Sequence, residues 1–220
     1  MRPDTRVSTV TAAAASYLLA DLAGVKTRLA ITGTGSDQVL TRFIADASAA
    51  AIRFMNNRIA LETLTDRIWP WRDSWLGALR DSLPVLQLSR WPIVSVTSVT
   101  ETVGGAAVTL TQDVDFLIDP DPGHLIRLNS CGAPRAWSAS AVAVVYTAGY
   151  ATIPSDIQEA VSEMVKARFF AQSRDPLVRS ENVEGVMQTS YWSGAGPGAD
   201  TDMPPAIQAK LERYRPSLFR

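Results

Sequence analysis

This sequence of 220 residues predicts an α+β fold: a helical bundle from the N- and C-terminal segments, with a small antiparallel β domain inserted between them. Two observations carry the expectation. Apolar residues recur at helical spacing over 36–56 and again over 155–173, leaving charged residues on the opposite side. Between them, residues 59–150 alternate apolar and polar positions, with turn signals about every ten residues. The length suffices for a real core in one or two domains.

Taken in order, the Ala- and Leu-rich run over 11–22 predicts a first helix stopping at Gly24. A polar loop with Gly33 and Gly35 follows. Ser36 is then the cap of a second helix to about Asn56, with Val39, Leu40, Phe43, Ile44, Ala47, Ala51, Phe54 and Met55 on its apolar side. Its small residues, Ala45 to Ala51, would let a neighbouring helix approach closely. Strands are predicted over 61–68, 85–88, 93–100, 107–110, 115–118, 125–128 and 142–146. Gly104-Gly105 is a hairpin turn, and Asp119-Pro120-Asp121-Pro122-Gly123 a second turn containing His124 at its edge. Val142, Val144 and Tyr146 alternate with Ala143, Val145 and Thr147, so both faces are apolar, as in an interior strand. Gly149 can take a positive φ at the turn. Pro154 suits a helix start, and Ser155 with Gln158 forms a capping-box pattern. That helix ends near Asp175-Pro176. An extended segment over 180–193, a Gly/Pro linker over 194–198 and a final short helix from Pro204-Pro205 complete the chain. The predicted divisions are 1–58, 59–150, 151–175, 176–203 and 204–220.

The formal net charge is −1, unevenly spread. Residues 1–58 carry seven basic and four acidic groups, 59–150 six and nine, 151–202 four and eight, and 203–220 four and one. A dedicated DNA binder would show a stronger basic bias, because phosphate neutralisation supplies most nonspecific affinity. The pattern suits a protein that touches other proteins. Lacking any apolar run of the ~20 residues a bilayer requires, the sequence predicts a soluble protein made in the cytoplasm, with no membrane partner.

Catalytic and metal motifs are sparse. Cys131 is the sole cysteine and His124 the sole histidine, which excludes an intrachain disulfide and thiolate zinc sites. Asp113, Asp115, Asp119 and Asp121 fail the spacing of a calcium loop, since Leu117 and Ile118 fall where a ligand and a glycine are needed. The glycine-rich stretches lack the strand context of a phosphate loop. No catalytic residue, cofactor or metal is expected. Trp69, Trp71, Trp75 and Trp91 cluster with Arg67, Arg72, Arg80 and Arg90. Core packing, a protein interface and a ligand platform all remain open for them. The basic, aromatic tail Leu211–Arg220, beyond a linker, is placed to reach another chain, because Leu218 and Phe219 would otherwise expose apolar area.

The string Tyr146-Thr147-Ala148-Gly149-Tyr150, followed by Ile153-Pro154-Ser155-Asp156, resembles a segment of the head–tail connector (adaptor) proteins of long-tailed bacteriophages. It is similar also to related proteins of gene-transfer agents, which are domesticated phage particles. Ala47-Ser48 with Asn57-Arg58, the run Leu88-Ser89-Arg90-Trp91-Pro92-Ile93-Val94-Ser95-Val96, and Leu211 to Arg215 resemble further family strings in the same order. The resemblance implies a non-enzymatic ring of roughly twelve copies beneath the portal, in the neck of a virion assembled in the host cytoplasm. It implies the portal and the next neck or tail protein as partners. Double-stranded DNA would pass through the lumen without sequence-specific binding, helped by an acidic middle segment. Portal docking is carried onto Arg213, Tyr214, Arg215, Leu218 and Phe219, and a subunit or neck contact onto Trp69, Trp71, Arg72 and Trp75. Deleting 204–220 should then abolish portal binding and leave a folded subunit. Competing readings are another neck ring, either head-closure or tail-terminator, and a carbohydrate-binding module using the Trp cluster.

Overall fold

The first regular element is a strand, β1 (Thr5–Ala12), where the Ala-rich run predicted a helix over 11–22. Its Thr and Val residues are β-branched, which restricts them in a helix and suits them to a pleated surface. Residues 13–21 form no regular element. Helix α1 (Leu22–Leu29) then starts at Asp21, whose carboxylate accepts a hydrogen bond from the Gly24 N–H at 2.9 Å. A Cβ at Gly24 would lie 2.7 Å from that carboxylate. Gly24 therefore belongs to the first turn, where it admits the cap, and does not stop the helix. The computed structural model describes residues 5–70, 85–137, 141–172, 180–183, 187–190 and 203–215.

Helix α2 (Asp37–Met55) follows the predicted pattern and ends on Asn56 in the left-handed region. Ser36 precedes it without a side-chain capping bond. The loop before it is tied instead by Lys26, whose ammonium donates to the Gly33 carbonyl and to Asp37 at 2.6 Å. Among the described residues seven strands come next: β2 (Glu62–Trp69), β3 (Val85–Gln87), β4 (Ile93–Val103), β5 (Ala106–Leu110), β6 (Phe116–Asp119), β7 (His124–Arg127) and β8 (Ala141–Ala148). His124, expected in a turn, opens β7. Val103 pairs with Ala106 across Gly104 and Gly105, both at positive φ, as a two-residue hairpin requires.

These strands form two antiparallel sheets, ordered β1-β2-β8-β4-β5 and β3-β7-β6. They share one core. Leu64, Ile68, Val99, Leu110, Val142, Val144 and Tyr146 from the larger sheet are buried with Leu86, Phe116 and Leu125 from the smaller, and with Trp137. The sheets thus make a sandwich, and β8 is the central strand of the larger one. Gly149, just past β8, has φ 106°, and a Cβ there would sit 2.5 Å from the Ala60 carbonyl oxygen. Its N–H donates to Pro92, and the Tyr150 N–H to Ile59, at 2.9 and 2.8 Å. Only glycine permits that approach.

Helix α3 (Ser155–Ala171) starts after Pro154. The expected Ser155/Gln158 capping box does not form: Ser155 is already helical, and the Gln158 amide donates back to the Ile153 carbonyl at 2.7 Å. A short hairpin, β9 (Ser180–Val183) with β10 (Met187–Ser190), lies in the segment predicted to be extended. Helix α4 (Pro205–Glu212) repeats the entry of α3: Pro204 precedes it, and the Gln208 amide donates to the Met203 carbonyl at 2.7 Å.

The molecule is α+β and rich in strand, and divides into two compact units. One comprises residues 1–16 and 59–151, the other 17–58 and 152–220. The sandwich unit therefore takes its edge strand β1 from the segment predicted to be wholly helical. In the other unit α2 buries Leu40, Ile44, Ala47, Ala51 and Met55, and α3 buries Ile157, Ala160, Val161, Met164 and Val165. Among the described residues no helix is long and apolar enough to cross a membrane.

Candidate assembly interface

The C-terminal docking residues were expected to face another chain. The described ones are engaged first within their own unit. Helix α4 buries Ile207 and Leu211, with Met203 just before it; each such side chain contributes about 1.5–3 kcal/mol when fully buried. Around that apolar contact runs a set of charges. Asp156, Glu159 and Glu163 project from successive turns of α3. Lys210 bridges Glu163 at 3.0 Å and Glu159 at 3.3 Å. Arg213 reaches Asp156 at 3.2 Å. The Tyr214 hydroxyl lies 2.8 and 2.9 Å from the two Asp156 carboxylate oxygens, to which it donates.

This arrangement accounts for the opposed charge blocks of the sequence, since the acidic 151–202 segment supplies the carboxylates and the basic terminus the cations. Hydrogen bonding to Glu163, with Glu159 adding to it, holds the Lys210 ammonium above its ordinary range. Pairs this exposed add little energy but fix orientation. Arg215 lies over the Phe54 ring of α2, 5.2 Å from its centroid, and also pairs with Glu212 at 3.2 Å. Arg213 keeps most of its side chain exposed. Leu218 and Phe219 lie outside the described residues.

The same anchoring revises the deletion expectation. Removing 204–220 would strip Ile207 and Leu211 from the helical core, so a cut after Arg215 is the cleaner probe of the tail.

Of the aromatic cluster, Trp69 is half-buried at the end of β2, opposite Thr5 of β1. Trp91 is half-buried beside the Gly123 turn, where a Cβ on Gly123 would come within 3.0 Å of the Trp91 Cβ. Trp71, Arg72 and Trp75 lie outside the described residues. Cys131 is exposed in a loop folded on Asn129, whose side-chain oxygen accepts from the Cys131 and Ala133 N–H groups at 2.9 Å.

Two polar constellations in the sandwich escaped the sequence reading. In the first, Asp66 is fully buried and its Oδ2 accepts from the Tyr146 hydroxyl at 2.9 Å and the Ser89 N–H at 2.8 Å. Tyr146 in turn accepts from the Arg90 N–H at 3.1 Å. Burial, reinforced by the neighbouring Asp66 charge, pushes the Tyr146 phenol far above its ordinary value. In the second, buried Arg127 forks onto Glu101 at 3.1 and 3.2 Å and reaches the Asp115 carboxylate at 3.5 Å. Asp115 also accepts from the Thr111 N–H at 2.9 Å, so one of the clustered aspartates closes a turn. The sequence signal was present: Asp66 and Glu101 sit at strand positions where the alternation places apolar side chains. Buried carboxylates there demand partners.

No protein-family model and no curated protein matches the sequence. Solved structures do match in fold. A chain from the neck of an empty GTA particle, computed with C6 symmetry, is 17% identical with a TM-score of 0.53. A chain from the virion of a native gene transfer agent (GTA) particle is 17% identical with a TM-score of 0.55. A chain from the neck of a native GTA particle, computed with C12 symmetry, is 16% identical with a TM-score of 0.55. Each alignment covers 97% of this chain and 97% of the other. Identity at this level establishes a shared fold.

Proposed function

We propose that this chain is a structural, non-enzymatic head–tail connector (adaptor) of a tailed phage or phage-like particle. The single observation that carries the reading is the likeness in fold, over nearly the whole of both chains, to chains from the neck of a gene transfer agent particle. The family strings around Tyr146–Asp156 and Leu88–Val96 point the same way from the sequence.

In this reading roughly twelve copies close a ring through heterologous contacts beneath the portal. The helices from the N- and C-terminal segments form a bundle around the channel, and DNA passes through without being gripped. The anchored α4 carries the tail to the portal. Arg213, through its exposed side chain, and Arg215, Leu218 and Phe219 meet the portal surface, while Tyr214 holds the segment in place. Trp69, Trp71, Arg72 and Trp75 serve a subunit or neck contact.

The test is co-purification of the full chain with the portal of its own particle, with mass measured for the complex. A ring of chains on the portal is expected. A variant ending at Arg215, which lacks Leu218 and Phe219, should keep its fold by circular dichroism and bind the portal more weakly. Unaltered portal binding by that variant would refute tail docking, and a chain that never joins a portal or neck assembly would refute the reading itself.

A further inference from the structure

Among the described residues, the two outer strands of the larger sheet expose most of their side chains. From Val7 to Ala12 every side chain of β1 is exposed, on both faces of the strand, with Val7 53% and Val10 38% accessible. A strand that buries none of these side chains gains little from its own chain beyond the ladder to β2. At the opposite end of the sheet, β5 exposes Ala106, Ala107, Val108 and Thr109 and buries only Leu110. Among the described residues no strand pairs with the outer edge of either.

Soluble proteins ordinarily blunt such edges with lysine, proline or inward charges. Apart from Arg6 at the start of β1, neither strand contains a charge, and neither contains proline; Val and Thr recur along 7–11 and at 108 and 109. Two different open edges on one sheet are what a head-to-tail contact between copies needs. An isologous dimer would need only one.

We propose that the β1 edge of one copy joins the β5 edge of the next, so that the sandwich sheet continues from subunit to subunit by strand addition. The occupant of each edge is a second copy of this chain. The inference rests on the ring reading above and specifies which surface closes the ring.

The test uses the full chain carrying Cys131→Ser, because Cys131 is exposed and would react. Val10→Cys and Val108→Cys are added singly and together, and a short bismaleimide joins nearby thiols. The doubly substituted chain should give a ladder of covalent oligomers, and each single variant should stay monomeric on a denaturing gel. Separately, Val10→Lys and Val108→Lys, both at exposed positions, should keep the near-UV circular dichroism of the fold and lower the native mass to that of one chain. Linked dimers from Val10→Cys alone would mean a two-fold β1 contact and overturn the proposal. Rings that form by mass without linkage, and that survive both lysine variants, would overturn it while leaving the ring reading standing. A chain that remains monomeric at every concentration and on its portal would overturn both.

Discussion

Tyr214 of the C-terminal segment donates its hydroxyl to Asp156, in the first turn of α3, across 58 positions of sequence. The carboxylate sits where a helix N-terminus favours negative charge, and Arg213 shares it. The last described residues are thereby held to the helix that follows the sandwich. Asp156→Ala should lower stability by about 1–3 kcal/mol and Tyr214→Phe by about 1 kcal/mol. Urea unfolding of both single variants and the double variant should show the two losses to be less than additive, as residues in one network require.

The Arg127–Glu101 pair behaves differently because it is buried. Removing Arg127 leaves the buried Glu101 carboxylate without its cation, which costs about 3–5 kcal/mol, whereas removing Glu101 leaves Arg127 its Asp115 contact and costs less. Arg127→Met alone should therefore shift the urea midpoint strongly, and Glu101→Gln alone should shift it less. The combined Glu101→Leu and Arg127→Met variant should recover most of the loss, and a double variant as unstable as the worse single one would contradict this account.

Tyr146 makes stability depend on alkaline pH. An unfolded tyrosine ionises near pH 10, and the folded one holds its proton well beyond that. Above about pH 10 the unfolded state therefore binds fewer protons than the native state, and stability falls as pH rises. Lys210, also raised, acts with the same sign. Tyr146→Phe should cost about 1–3 kcal/mol at neutral pH, because Asp66 and the Arg90 N–H lose a partner. It should also flatten the alkaline decline relative to the parent in melts taken between pH 8 and 11.

Gly149 and Gly35 give a matched pair of backbone tests. An added Cβ at Gly149 meets the Ala60 backbone at 2.5 Å in a positive-φ conformation, whereas at Gly35 nothing lies within 4 Å. Gly149→Ala should destabilise by several kcal/mol, on the order of a strained φ plus a steric clash, or fail to fold. Gly35→Ala should stay within about 1 kcal/mol of the parent. Thermal melts of the two variants decide it.

Much of the fold was legible because period and punctuation agreed. The stripe from Leu40 to Met55 is helical in sequence and in structure, and Gly104-Gly105 makes the hairpin its composition demands. The N-terminal segment misled because Ala12 to Ala15 favour a helix, while the Thr and Val residues before them take their structure from β2, some fifty residues later. Propensity is local and that pairing is not. The capping reading of Ser155 failed for a smaller reason: Pro154 itself precedes the first turn, and Gln158 finds a carbonyl in place of its capping partner. The charge blocks were visible, but their mutual neutralisation was not, since only the folded chain brings Lys210 and Arg213 to the carboxylates of α3. Asp66 and Glu101 were visible as charges at apolar-facing strand positions, but their partners, which come from distant parts of the sheets, were not.

The lateness of β2 also bears on synthesis. A ribosome adding roughly 5–20 residues per second releases β1 seconds before β2 exists to receive it, and longer before β8 completes the centre of the sheet. A greasy strand left waiting that long would invite misassociation. With three Thr, one Ser and Arg6 among its eight residues, β1 stays hydrated until its berth is built.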